Sequence, residues 1–217
     1  MTIYTNAGLV MAMQSAIAAS KTITAATNAD PGVFTSVAHG YNDGDYILLE
    51  VEGMPTLNKR IFQVYAKATD TFKLEDIDGA SGVDTTLSGT FSSGTAKKVT
   101  LGTSIAGVQD FAASGGEPKF LDTTTVHDLA DKQVINGTTS QAFSLTMQWD
   151  PANAAQQAMN AAYLAQASLA FKITWPSGRF AMFYGSVGYN MVPGGSNQGV
   201  TTSPAAVAVE GNYTFGI

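Results

Sequence analysis

The clearest periodicity lies in the C-terminal half, where Phe143, Leu145, Met147 and Trp149 alternate with Ser144, Thr146 and Gln148. A period of two sends successive side chains to opposite faces, so this segment is predicted as a strand with one buried face. The pattern returns with Leu169, Phe171, Ile173 and Trp175 set against Ala170, Lys172 and Thr174. Pro176-Ser177-Gly178 then turns the chain into the run Phe180–Val187. Two such runs around a tight turn predict a β-hairpin. Trp149 and Trp175 fall in phase with the apolar set and are assigned to the core. A Gly- and Ser-rich loop, Pro193–Ser203, precedes a closing strand over Ala205–Phe215.

The stretch between the first strand and the hairpin has a different texture. Ala152–Gln166 is rich in alanine and free of glycine and β-branched residues, a composition that favours helix. A helix over about 151–166 is therefore expected, with Asp150 as its N-cap and Pro151 in the first helical position, where the missing N–H costs nothing. Ala155, Met159, Ala162 and Tyr163 would share the face that lies on a sheet.

From about Thr24 to Lys98 short apolar runs are separated by turn residues. Predicted strands are Val33–Ala38, Tyr46–Val51, Arg60–Lys67 and Thr71–Glu75, with turns at His39-Gly40, Asn42-Asp43-Gly44-Asp45 and Thr69-Asp70. Asp76–Gly94 reads as a long loop with one weak strand. Such punctuation indicates a compact all-β unit. Gly102–Thr139 has few large apolar residues, and a long segment of this kind inside a compact protein is a functional loop or is ordered by a partner. At the N-terminus, Val10 and Ala12 alternate with Met11 and Met13. No Lys or Arg precedes the stretch Ala7–Ala19, and Gln14 and Ser15 interrupt it, so a cleaved leader is not expected, and the alternation suits a strand as well as a helix. No run reaches the roughly 18 apolar residues of a membrane-spanning helix, and membrane insertion is not expected. The fold class is mainly β: an antiparallel sandwich or barrel core, one flanking helix and a small all-β unit.

Composition sharpens this. Only 13% of the 217 residues are charged, about half the 25% usual for soluble domains, as expected of a surface that partners cover. The formal net charge of −6, from 17 acidic and 11 basic residues, disfavours a surface that grips nucleic acid. There are no cysteines, which excludes disulfides, thiolate metal sites and thiol catalysis. Two histidines, His39 and His127, are too few for a metal cluster; His39 is expected in a turn and His127 at the surface. No Gly-x-Ser-x-Gly elbow or phosphate-binding glycine loop is present. Asp76-Ile77-Asp78-Gly79 lacks the downstream glutamate of a calcium loop. No cofactor, metal or catalytic residue is predicted.

Four segments in fixed order carry a family resemblance. They are Asn6–Ala16 with Lys21-Thr22-Ile23-Thr24; Phe120–Asp128; Trp149-Asp150-Pro151-Ala152; and Phe171-Lys172-Ile173-Thr174-Trp175-Pro176-Ser177-Gly178. Together they resemble the tail tube proteins of siphoviruses, the long-tailed bacteriophages, over nearly the whole chain. Asp30–Val99, with Ala38-His39-Gly40-Tyr41 and Gly94-Thr95-Ala96, is similar to a small β module inserted in several phage structural proteins. The resemblance implies a discontinuous tube core, 1–24 plus 99–217, and an inserted domain, 25–98, projecting outward. It implies hexameric rings stacked into a tube, assembled in the host bacterial cytoplasm and carried in the virion. Implied partners are a tape-measure protein, tail terminator and baseplate or distal tail proteins, with double-stranded DNA passing through without sticking. Asp110, Glu117, Phe120, Asp122, Asp128 and Asp131, in the weakly hydrophobic segment, are the candidates for contact between subunits or rings. Two other classes compete. A carbohydrate- or host-surface-binding module would display exposed aromatics, and a tube subunit of a contractile secretion system would lack the inserted module.

Overall fold

The computed structural model describes residues 6–75, 79 and 81–217. Asp76, Ile77 and Asp78, weighed above as a calcium loop, lie outside the described residues. The chain begins with the short strands β1 (Val10–Met13), β2 (Ala16–Ile17), β3 (Lys21–Ile23) and β4 (Ala25–Ala26). Next come β5 (Val33–Thr35), β6 (Tyr46–Glu52), β7 (Arg60–Tyr65), β8 (Thr71–Leu74), β9 (Ser93–Thr100) and β10 (Thr103–Ser104). The strands β11 (Val108–Ser114), β12 (Pro118–Asp122), β13 (Gln133–Thr138) and β14 (Ala142–Gln148) lead to the helix α1 (Ala154–Leu164). Then β15 (Ser168–Thr174), β16 (Phe180–Gly188), β17 (Thr202–Val209) and β18 (Thr214–Gly216) complete the chain.

All described ladders are antiparallel. The first sheet has the order β10-β1-β15-β16-β17-β14-β11, with β18 also on β16. Its two ends are joined by residues 105–107, a connection that can span at most about 14 Å. The amide of Ile105 donates to Met11 O on β1 at 2.9 Å, and that of Gln148 donates to Gly107 O at 2.8 Å. The sheet therefore rolls into a barrel. Inside it, Met11, Met13, Phe143, Leu145, Met147, Phe171, Ile173, Phe183 and Val207 form one core with Ala155, Met159 and Ala162 of the helix. The alternation along β14 is the predicted one, with Phe143, Leu145 and Met147 buried.

The second sheet has the order β2-β9-β6-β7-β8-β5-β4, with β3 on β9. It too closes, because Lys21–Ile23 pairs with β9 while the next residues, Ala25 and Ala26, pair with β5. Its core contains Ile23, Phe34, Tyr41, Ile47, Leu49, Val51, Phe62 and Phe72. A third cluster, Leu48, Ile61, Val99, Ala170, Phe180 and Met182, lies between the two sheets. This accounts for the unbroken apolar run in β6: Ile47, Leu49 and Val51 point into the small barrel, while Leu48 points across to the large one. Polar groups add to the joint. Arg60 donates to Tyr213 O at 2.9 Å and to Thr214 Oγ1 at 3.3 Å. Lys172 Nζ reaches the Tyr46 hydroxyl at 2.5 Å and sits 4.3 Å from the centre of the Phe180 ring. Gly211 is needed here, since a Cβ would stand 2.4 Å from Lys59 O.

Several local expectations are corrected. The helix begins at Ala154, and Asn153 is its N-cap, accepting from the amides of Ala155 and Gln156. Asp150 instead accepts from Ala152 N at 3.0 Å and closes the turn containing Pro151, one step before the helix. Tyr163 is exposed, and the helix buries Gln156 in its place. Trp149 is 37% exposed, because the chain leaves the sheet at Gln148 and the period of two no longer governs it; its Nε1 donates to Met191 O. Trp175 packs against the core. The closing strand starts earlier than expected and breaks after Val209, resuming as β18. The strand from Val33 stops at Thr35. His39 is buried: Nδ1 accepts from Tyr41 N, so the ring presents Nε2 to Ala68 O at 3.0 Å. His127 is exposed.

Candidate assembly surface

The outer surface of the large barrel is divided. Over β15 and β16 it is covered by the small barrel. Over β17, β14 and β11 it is bare. Cross-strand register aligns Pro204, Thr146 and Asp110 in one row, Ala206, Ser144 and Ala112 in the next, and Ala208, Ala142 and Ser114 in a third. These side chains are small or polar, and Asp110 is the one charged residue among them. The strands do not need such residues to fold, because their opposite faces already supply the core.

Beyond the bridge at residues 105–107 the borders β1 and β11 separate. They leave a cleft of about 410 Å³ lined by Leu9, Val10, Met11, Ile105, Val108 and Phe111. β11 is the last strand in the order, so one of its edges has no partner strand within the sheet. A free strand border of this kind is a template for pairing with another chain.

From the same end rises an arm. β11 and β14 continue as β12 and β13, which pair only with each other. At the joint Gly115 takes φ +82°, and a Cβ there would lie 2.0 Å from Ser140 O, so the junction requires glycine. Each residue of β12 and β13 is exposed, including Phe120 at 60% and Ile135 at 67%. The tip is held by side chains. Asp122 accepts from Thr124 N at 2.8 Å, and Asp128 accepts from Thr125 N at 2.9 Å and pairs with Lys132. The hydrogen bonds from Thr124 hold the Asp122 carboxyl below its ordinary range. For Asp128 the Lys132 ammonium, then Thr125, has the same effect.

The structure thus gathers Glu117, Phe120, Asp122, Asp128 and Asp131 on the arm and places Asp110 on the strand that leads into it. Asp150 and Pro151 lie apart, at the helix entrance. The sequence reading passed over Leu121, Val134 and Ile135, although the adjacent pairs Phe120-Leu121 and Val134-Ile135 signal a strand with an apolar residue on each face. Among the described residues no group of three or more His, Asp or Glu side chains is placed to hold a metal ion. Nor is any helix there long and apolar enough to cross a membrane.

A strand border, an exposed apolar arm and a charge-poor face make this a β-structural subunit whose surface is shaped for contact between proteins. Residues 52–216 match the family model described as phage tail tube protein, TTP. The match spans well over half of the chain, and the chain belongs to this family. A search of curated proteins finds no match. Membership gives the chain a structural role in a phage tail, as a virion component that assembles into a tube.

Proposed function

We propose that six copies form a ring and that rings stack into the tube of a siphovirus tail, whose lumen conducts double-stranded DNA during infection. The observation that carries this reading is the bare, small-residue face over β17, β14 and β11. It lies on the barrel surface that the small barrel leaves open, and it borders the unpaired edge of β11. Joining such edges between neighbours would close the ring's inner surface and satisfy the free backbone groups. A bore of alanine, serine and threonine offers phosphates no cation, and a repeated Asp110 repels them, so DNA slides without sticking.

In this arrangement residues 1–24 and 99–217 supply the tube core, apart from β2 and β3, whose ladders with β9 make them part of the small barrel, and that barrel, with residues 25–98, forms a domain that projects outward. Asp110, Glu117, Phe120, Asp122, Asp128 and Asp131 belong to the contacts between subunits or rings. The ends of the tube meet tail terminator and baseplate or distal tail proteins, and a tape-measure protein occupies the bore during assembly in the host cytoplasm. Negative-stain microscopy of the purified chain at high concentration tests the reading. Rings or tubes with a continuous bore are expected. A chain that stays monomeric at every concentration and binds glycans would contradict it.

A further inference from the structure

Of the ten asparagines in the chain, Asn136 alone is followed by glycine. The structure places this Asn136-Gly137 step in β13. The ladder pairs Phe120 with Ile135 and Pro118 with Thr138, so Lys119 by itself stands opposite both Asn136 and Gly137. Two residues against one make a β-bulge, which breaks the regular ladder locally. Gly137 takes φ +89°, and nothing lies within 4 Å of the place a Cβ would occupy. Both residues are exposed, and their strand pairs only with β12. A two-stranded ribbon is marginal by itself, so local opening of the bulge costs little free energy. Other asparagines are held. Asn28, Asn58 and Asn153 have their side-chain amides tied to backbone groups, and Asn160 lies within α1.

We propose that Asn136-Gly137 is a self-modification site of the free chain. The backbone nitrogen of Gly137 gives up its proton and attacks the side-chain carbonyl carbon of Asn136. A five-membered succinimide closes, the bond to the side-chain nitrogen breaks, and ammonia leaves. Water then opens the ring at either carbonyl and leaves aspartate or isoaspartate at position 136. No electrons are exchanged, and water is the one co-reactant. Glycine is required because a Cβ on the following residue would crowd the nitrogen as it approaches. Each event adds one negative charge to β13, opposite Lys119. Isoaspartate also adds one carbon to the main chain within the bulge, so the register between β12 and β13 is lost there. The reaction needs only the unassembled chain and stands apart from the tube reading.

The purified full chain is incubated in mildly alkaline buffer, folded and in parallel unfolded in urea, and peptide mass spectrometry follows each asparagine. In the folded chain Asn136 is expected to convert more than about tenfold faster than any other asparagine, because only its successor lacks a Cβ. Its products should include isoaspartate, which direct hydrolysis of the side chain does not give. The folded and unfolded rates at Asn136 should agree within about tenfold, since an exposed bulge opens at little cost. Ion exchange should show a more acidic form accumulating in the parent and not in Asn136→Gln, whose longer side chain would have to close a six-membered ring. Another asparagine converting first, aspartate without isoaspartate, or folding that slows Asn136 by more than about tenfold would overturn the proposal.

Discussion

Gln156 shows how one polar side chain holds three elements. It is 1% exposed in the first turns of the helix. Its Nε2 donates to Gln148 O at 2.6 Å, and its Oε1 accepts from Asp150 N at 3.1 Å and from the Tyr189 hydroxyl at 2.9 Å. The end of β14, the helix entrance and the segment after β16 therefore meet on a single amide. Truncating one partner of a buried hydrogen bond leaves the other unsatisfied, at about 1–3 kcal/mol. Gln156→Leu is expected to lower stability by that amount in urea unfolding. Adding Tyr189→Phe should restore part of the loss, since the orphaned hydroxyl goes with it. A loss equal to the sum of the two single variants would show that the residues do not share this network. The sequence marks Asp150 as the cap because Asp-Pro is a familiar helix opening. The actual cap is Asn153, since the backbone makes an extra turn before it enters the helix.

At the scale of elements, the two barrels are joined by an apolar patch and by charges at its rim. Lys59 lies 3.3 Å from Glu210 and 3.8 Å from Glu50. Burial alone would raise the Glu210 carboxyl. Hydrogen bonds from Ser168, Ser186 and Lys59 outweigh that and hold it below 4.5. Burial would likewise lower Lys59, but its two carboxylate partners carry it above 10.5. A depressed carboxylate stabilises the fold above its ordinary value and loses that contribution as pH falls through its folded value. A raised lysine contributes below its ordinary value and loses it as pH climbs through the folded one. The joint is thus complete between about 4.5 and 10.5. Partly exposed pairs of this kind contribute about 0–1 kcal/mol each. On acidification from neutral pH to below the carboxylate range, the parent should lose more thermal stability than Glu210→Gln; equal losses would remove Glu210 from the joint. The same scale shows what a linear pattern conveys. β14, β15 and β16 were legible because each sets an apolar face against a core within its own barrel. The arm was not: its apolar residues fall on both faces and bury against nothing in the subunit, so no period of two emerges. β9 was missed for a similar reason, since Ser93-Gly94-Thr95-Ala96-Lys97-Lys98 is polar by composition and joins the sheet through its ladder with β6.

For the whole molecule, the contrast between the barrels is the main result. Among the described residues the small barrel closes on itself through β3 and β4 and exposes no long free strand border. The large barrel closes only at residues 105–107, leaves an edge of β11 unpaired and extends an arm that its own core does not cover. One unit is self-sufficient, while the other leaves a strand border and an arm uncovered. The low charge content fits this, because surfaces destined for burial in an assembly carry few ions. The family match, the bare face and the arm all point to the same assembly, and a reconstruction of tubes grown from the purified chain by electron cryo-microscopy tests it most directly. The account predicts density that places Asp110, Ser144 and Ala206 on the bore, with the small barrel outside. A map with that face turned to the exterior, or with each arm folded onto its own barrel, would contradict it.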